Sequence, residues 1–176
     1  MGKKKSKLSG RDIRVSSPFD SSVQKTEWTG AAKIAEWINS LVETKGLSFG
    51  KAEVETVQRT TRKRADINLF ESPEGDKTLC VIEFKLPFID PFADELKGDA
   101  HKKANKRKAR YFATSNFQKL VWFKTEEVNR MAHESQQIAG IYELSKIEDL
   151  DNLEEPRFKN NIIKGLEKFI FELSDH

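Results

Sequence analysis

The residues that could do chemistry lie in one short run. Leu79-Cys80-Val81-Ile82-Glu83-Phe84-Lys85-Leu86 is apolar except for a carboxylate and an ammonium two positions apart. A nearly continuous apolar run of this length predicts a central strand covered on both faces. Side chains alternate along a strand, so Glu83 and Lys85 point to the same face. Charges inside a sheet are costly unless they are paired or engaged by a cation. Asp66 lies on the preceding segment, where Ala65, Ile67 and Leu69 alternate with Asp66, Asn68 and Phe70, and only a turn, Ser72-Pro73-Glu74-Gly75-Asp76, separates it from Glu83. The register of that hairpin can bring the two carboxylates together, where they repel each other unless a cation neutralises them. Mg²⁺, with Mn²⁺ as a substitute, suits such a place, being content with one or two carboxylates, waters and a substrate phosphate. Lys85 can then orient or deprotonate an attacking water and offset charge developing on phosphorus. The competing reading is a buried Glu–Lys pair that bridges strands for structural reasons; Asp66, the apolar embedding and a basic helix downstream favour a metal-dependent nuclease over it.

The charge distribution points to a polyanionic partner. The 176 residues carry a net charge of only +3, yet residues 143–176 hold nine acids against five bases, which leaves the first 142 residues at +7. The excess is clustered: Lys3-Lys4-Lys5 with Lys7; Arg59 with Arg62-Lys63-Arg64; and Lys97, Lys102, Lys103, Lys106, Arg107, Lys108 and Arg110 against a single Asp99. Clusters of this kind are the footprint of phosphate-backbone binding, although one alone is also how a solvated helix face looks. The contacts expected for a nucleic acid are Arg62, Arg64, Lys102, Lys103, Lys106, Arg107, Arg110 and Tyr111.

The elements that must position these residues follow from periodicity. Residues 1–20, rich in Lys, Ser and Gly, predict a flexible basic arm, and 21–176 a single domain. Ala31, Ile34, Ala35, Ile38, Leu41 and Val42 give an amphipathic helix over Thr29–Val42, closed by Gly46. Ala52–Arg62, Ala65–Phe70 and Leu79–Leu86 predict three strands, and a Pro-punctuated loop follows from Pro87 to about Asp94. A helix over Glu95–Tyr111 carries the third basic cluster above a narrow stripe of Ala100, Ala104 and Tyr111. Phe112–Thr114 and Leu120–Lys124 read as strands joined around Asn116, with a further candidate strand at Ile138–Leu144. Phe158, Ile162, Ile163, Leu166, Phe169, Ile170 and Leu173 mark the last helix. The predicted class is α/β, a mixed sheet flanked by helices.

Asp66 followed by Glu83-x-Lys85 resembles the PD-(D/E)XK nuclease superfamily. More narrowly, Arg64-Ala65-Asp66-Ile67-Asn68-Leu69-Phe70, a turn, and Leu79-Cys80-Val81-Ile82-Glu83-Phe84-Lys85 are similar to the nuclease domain at the N-terminus of type I restriction R subunits and to related nuclease–methyltransferase fusions. The resemblance covers about residues 30–125. It implies a restriction-endonuclease-like α-β-β-β-α-β core. It also implies Mg²⁺ held by Asp66, Glu83 and the main-chain carbonyl of Phe84, with Lys85 serving the nucleophilic water. Many members add a Glu from the first helix; Glu36, off the apolar stripe and ten residues before Gly46, is the fourth candidate, ahead of Glu27. Ala65 stands where the family motif has Pro, and Arg107 stands where type I nucleases often carry the Gln of Gln-x-x-x-Tyr before Tyr111. No Gly-x-x-x-x-Gly-Lys-Ser/Thr motor motif occurs, and a methyltransferase does not fit in the length. The expectation is therefore a stand-alone nuclease or the N-terminal domain of a longer restriction enzyme, acting on double-stranded DNA with a helicase or methyltransferase as domain or subunit, and able to form a homodimer. Two alternatives stay open: a non-catalytic DNA-binding or assembly domain on the same fold, and a nuclease for RNA or branched DNA.

Other classes are set aside by composition. A single cysteine excludes an internal disulfide framework and a Cys-rich zinc site, and His101, His133 and His176 make no ligand pair. No apolar run approaches the ~18 residues of a membrane span, and no signal peptide is read at the start, so a cytoplasmic, non-membrane protein is expected. Twelve Phe and three Trp are too many core residues for a disordered chain. Cys80, on the face opposite Glu83, is expected to be buried and inert, and Trp28, Trp37 and Trp122 to pack in the core rather than stack on bases. His101 is expected at a phosphate or on plain surface, and Asn116 in a turn. Asp90 and Asp94 are weaker candidates for a second metal.

Overall fold

The computed structural model describes residues 21–56, 63–130 and 138–176. Helix α1 (Ser21–Thr44) is followed by strands β1 (Ala52–Thr56), β2 (Lys63–Phe70) and β3 (Thr78–Phe84), helix α2 (Asp94–Arg107), strands β4 (Tyr111–Ser115) and β5 (Lys119–Lys124), short helix α3 (Thr125–Arg130), strand β6 (Ile138–Glu143), a 3-10 turn (Leu150–Asn152) and helix α4 (Pro156–Ser174). The strands form one six-stranded sheet in sequence order, β1 to β6. Each neighbouring pair is antiparallel except β3–β4, which is parallel and is bridged by α2 as its crossover. The mixed α/β class and the order of the main elements agree with expectation, with β6 as the sixth strand. The basic arm at residues 1–20 and Arg62 lie outside the described residues, as does the side chain of Arg64.

The period-2 pattern sorts the sheet into two unlike faces. Ile67, Leu69, Cys80, Ile82, Phe84, Tyr111, Ala113, Leu120 and Trp122 share the larger core with Ile34 and Ile38 of α1 and with Ile162, Leu166 and Phe169 of α4. The other face carries a smaller apolar cluster, Val81, Phe112, Val121 and Phe123, under Ala100 and Ala104 of α2. β3 is buried along its whole length, as a strand covered on both sides must be. Its charged residue, Glu83, falls on the α2 face. Cys80 is fully buried on the opposite face, and burial holds its thiol far above the usual range, so it is inert as expected. Trp37 and Trp122 are core residues and Trp28 is half-buried.

Among the boundaries that differ from those predicted, two move candidate site residues. α1 begins at Ser21, well before its apolar stripe, so Glu27 lies within the helix. α2 stops at Arg107 because Lys108 adopts the left-handed conformation (φ 56°, ψ 34°). There the Lys108 N–H donates to Asn105 O and the Ala109 N–H to Ala104 O, a Schellman arrangement that satisfies the helix's last carbonyls. Tyr111 is thereby moved from the basic helix into β4, where its ring meets Trp122 at 5.5 Å. The residue expected at nucleic acid is a core residue, because the helix ends one turn before reaching it.

Candidate active site

The antiparallel register of β2 and β3 pairs Asp66 directly with Glu83. Directly opposed side chains in an antiparallel pair share a face and lie close together, so the two carboxylates converge. Both are buried, at 1% and 5% exposure. Apart from the Lys103 ammonium, no donor among the described residues reaches Asp66 Oδ2 or Glu83 Oε2. The charge that meets them comes from α2: Lys103 Nζ lies 3.0 Å from Asp66 Oδ1, 2.8 Å from Asp66 Oδ2 and 3.1 Å from Glu83 Oε2. Burial above all, and then the neighbouring Asp66 charge, pushes Glu83 up to about 7. Burial likewise raises Asp66, with Lys103 offsetting part of it. For Lys103, burial acts to lower the pKa, but the two carboxylates outweigh it and hold the ammonium above its ordinary range.

Lys85 follows the end of β3. Its N–H donates to Ser115 O (2.9 Å), extending the pairing with β4 by one residue. Its ammonium is 3.8 Å from Glu27 Oε2, and Glu27 Oε1 accepts from the Leu86 N–H at 3.1 Å. Glu27 is 1% exposed, and burial raises its pKa against the opposing pull of Lys85 and of the Leu86 N–H. This buried acid therefore fixes both the side chain of Lys85 and the backbone that follows it. The loop from Pro87 to Ala93 is fixed from β4 and its turn. Asn116 Nδ2 donates to Pro87 O and to Ile89 O, both at 3.0 Å, and Thr114 Oγ1 donates to Pro91 O at 2.7 Å. Asn116 is thus a turn residue, through Oδ1 acceptance from the Gln118 and Lys119 N–H groups, and a loop anchor as well.

A second ring of polar residues lies beside the carboxylates. Arg107, one turn after Lys103 on the same face of α2, is 2.6 Å from Glu55 Oε1 on β1 and donates to Asn68 Oδ1 on β2. The charge of Glu55 is felt at Asp66, where it acts to raise the pKa. Asp66 and Glu83 are the side chains that could hold a divalent cation. Among the described residues no group of three or more His, Cys, Asp or Glu is gathered to do so, so two carboxylates are what the cluster offers.

The structure gathers Asp66, Glu83, Lys85, Lys103 and Arg107, with Phe84 fully buried in β3 between the acid and the lysine. It does not bring Glu36 to them. Glu36 is 67% exposed at its side chain and pairs with Lys33, which also reaches Glu154, on the outer face of α1. Nine residues make about two and a half turns, so Glu36 faces away from Glu27. Glu27 stands in its place. The signal was there: Glu27, Ala31, Ile34 and Ile38 form one helical stripe, and a carboxylate on a buried stripe needs a partner. Lys102, Lys106 and Arg110 are exposed, the last ion-paired with Glu71 at 3.5 Å. His101 bonds to Asn129 and Asn105 and packs on Phe112. Asp90 is taken up in its own turn, accepting from the Phe92 N–H, and Asp94 opens α2 as an exposed residue.

No protein-family model matches the chain, and no curated protein matches it in sequence. Among solved structures, the type IIG restriction endonuclease BpuSI is similar, with a TM-score of 0.61 at 14% identity. The match covers 82% of this chain and 16% of that one. The fold is therefore the restriction-endonuclease-like α/β fold. No helix among the described residues is long and apolar enough to cross a membrane.

Proposed function

We propose that the chain is a metal-dependent endodeoxyribonuclease of the PD-(D/E)XK type, resembling in its motifs the type I R-subunit nuclease domain and acting in restriction of foreign DNA in the cytoplasm. The observation that carries this reading is the pairing of Asp66 with Glu83 across β2 and β3, with Lys85 two residues further on. Two buried carboxylates on facing strands, met by a single ammonium, fit a hard divalent cation. Asp66, Glu83 and the carbonyl of Phe84 would hold it. When bound, Mg²⁺ or Mn²⁺ supplies Lewis-acid stabilisation of charge at phosphorus and lowers the pKa of water. Lys85, steadied by Glu27, orients the water and offsets charge developing on phosphorus. The exposed Lys102 and Lys106 draw in the duplex backbone. The similar region is 16% of a larger enzyme, so a methyltransferase or motor, as domain or subunit, and a second copy of the chain are the natural partners.

The test is supercoiled, unmethylated plasmid with Mg²⁺, Mn²⁺ or EDTA. Metal-dependent nicking or linearisation by the wild type, lost in Asp66→Ala, is the expected result. Cleavage that persists in EDTA or in Asp66→Ala overturns the assignment. One observation favours a second reading: Lys103 already lies between the acids. On a non-catalytic DNA-binding domain that ammonium would satisfy them permanently, and no divalent cation would be taken up.

A further inference from the structure

Lys103 is the cation nearest both acids, and its chemistry is unusual for a lysine in a basic cluster. Of the bases on α2 it alone turns its ammonium to Asp66 and Glu83, within 3.1 Å of each, with a side chain only 19% exposed. The other charged neighbours are already balanced. Lys85 is matched by Glu27, and Arg107 by Glu55. Two carboxylates against one ammonium leave the cluster with no net positive charge to offer a phosphate backbone. A divalent cation between the same acids would neutralise both and leave the Lys103 ammonium without its partners. The side chain is long and flexible, and it sits on the same helix as the exposed Lys102 and Lys106.

Resting on the metal-dependent reading above, we propose that Lys103 is an exchangeable stand-in for the metal. It holds the two acids while the site is metal-free, is displaced when a divalent cation enters, and then meets a phosphate oxygen of the nucleic acid. Metal entry thereby frees a positive charge for the phosphate backbone, and the two ligands bind with positive coupling. Lys103 is on this view a positioning and binding residue, distinct from Lys85 at the water.

The exchange makes the metal compete with a side chain, so removing that side chain should strengthen metal binding. This is opposite in sign to what a purely structural lysine would give. Mn²⁺ uptake is measured by calorimetry without nucleic acid on wild type, Lys103→Met and Lys103→Gln, the last keeping a hydrogen-bond donor in case the apolar variant fails to fold. Both variants should bind Mn²⁺ roughly tenfold more tightly or better, and Mn²⁺ should raise their melting temperatures more than that of the wild type. Duplex binding is then compared in EDTA and in Ca²⁺. Lys103→Gln should weaken binding more in Ca²⁺ than in EDTA, with a salt slope in Ca²⁺ shallower by about one, so that the gain in duplex affinity from Ca²⁺ shrinks. Wild-type uptake with equal or weaker uptake by the variants overturns the exchange alone. No uptake by any of the three overturns the exchange together with the metal-dependent reading.

Discussion

Glu27 and Glu36 share a helix and a residue type, and their fates are set by which face each occupies. Glu27 is buried against Lys85 and the Leu86 N–H, whereas Glu36 meets only exposed Lys33. Glu27→Gln keeps an oxygen for the Leu86 N–H and removes the charge opposite Lys85. The expected outcome is a folded protein whose single-turnover cleavage is slowed by roughly tenfold to a hundredfold. Glu27→Ala in addition leaves a buried N–H unsatisfied and should cost about 1–3 kcal/mol in a urea melt. Glu36→Gln should leave cleavage unchanged and stability within about 0.5 kcal/mol. The pairing of Asp66 with Glu83 was legible in the sequence because a short hairpin and strict alternation leave few registers. Glu27 was not chosen because an acid off the apolar stripe looked available for chemistry. Burial on the stripe is what made the other acid useful.

At the scale of elements, the site depends on how the ends of β3 and α2 are fixed. Asn116→Ala removes the donors to Pro87 O and Ile89 O and the acceptor of the β4–β5 turn. It should destabilise by roughly 2 kcal/mol and increase hydrogen exchange in the loop after Lys85, read by mass spectrometry. Two helix glycines give opposite expectations. At Gly30 a Cβ would stand 2.7 Å from the ring of Phe117, which is itself buried against Phe84, so Gly30→Ala should destabilise by about 1–3 kcal/mol. At Gly98 a Cβ meets nothing within 4 Å, and Gly98→Ala should stabilise by up to about 1 kcal/mol. Strand order and helix faces could be read from periodicity, since burial imposes it. The end of α2 could not, because a lysine rather than a glycine takes the left-handed turn and no residue type announces it. The misplacement of Tyr111 followed from that one missed stop.

For the molecule as a whole, the buried acids tie stability to pH and to metal. Glu83, ordinarily near 4.5, stands at about 7 in the folded protein through burial and the charge of Asp66. Between those values the folded state binds more protons than the unfolded one. Stability contributed by this group is therefore complete below the window and is lost as pH rises through it. Asp66 and Glu27, also raised, act in the same direction, while Lys103, raised from 10.5, acts only well above it. Metal-free melts from about pH 5 to about pH 8 should show a falling melting temperature, and excess Mg²⁺ should flatten that fall. The molecule's charge asymmetry gives a second expectation. Lys102→Glu with Lys106→Glu should weaken duplex binding uniformly across sequences and reduce its salt dependence by about two or more in slope. The most direct measurement of the central claim is the single-turnover nicking rate of supercoiled plasmid in Mg²⁺ by the wild type, Glu83→Gln and Lys85→Ala, each confirmed folded by circular dichroism. The expected result is nicking by the wild type and a loss of roughly a thousandfold or more in both variants. Rates within a few-fold of the wild type in either variant would contradict the site.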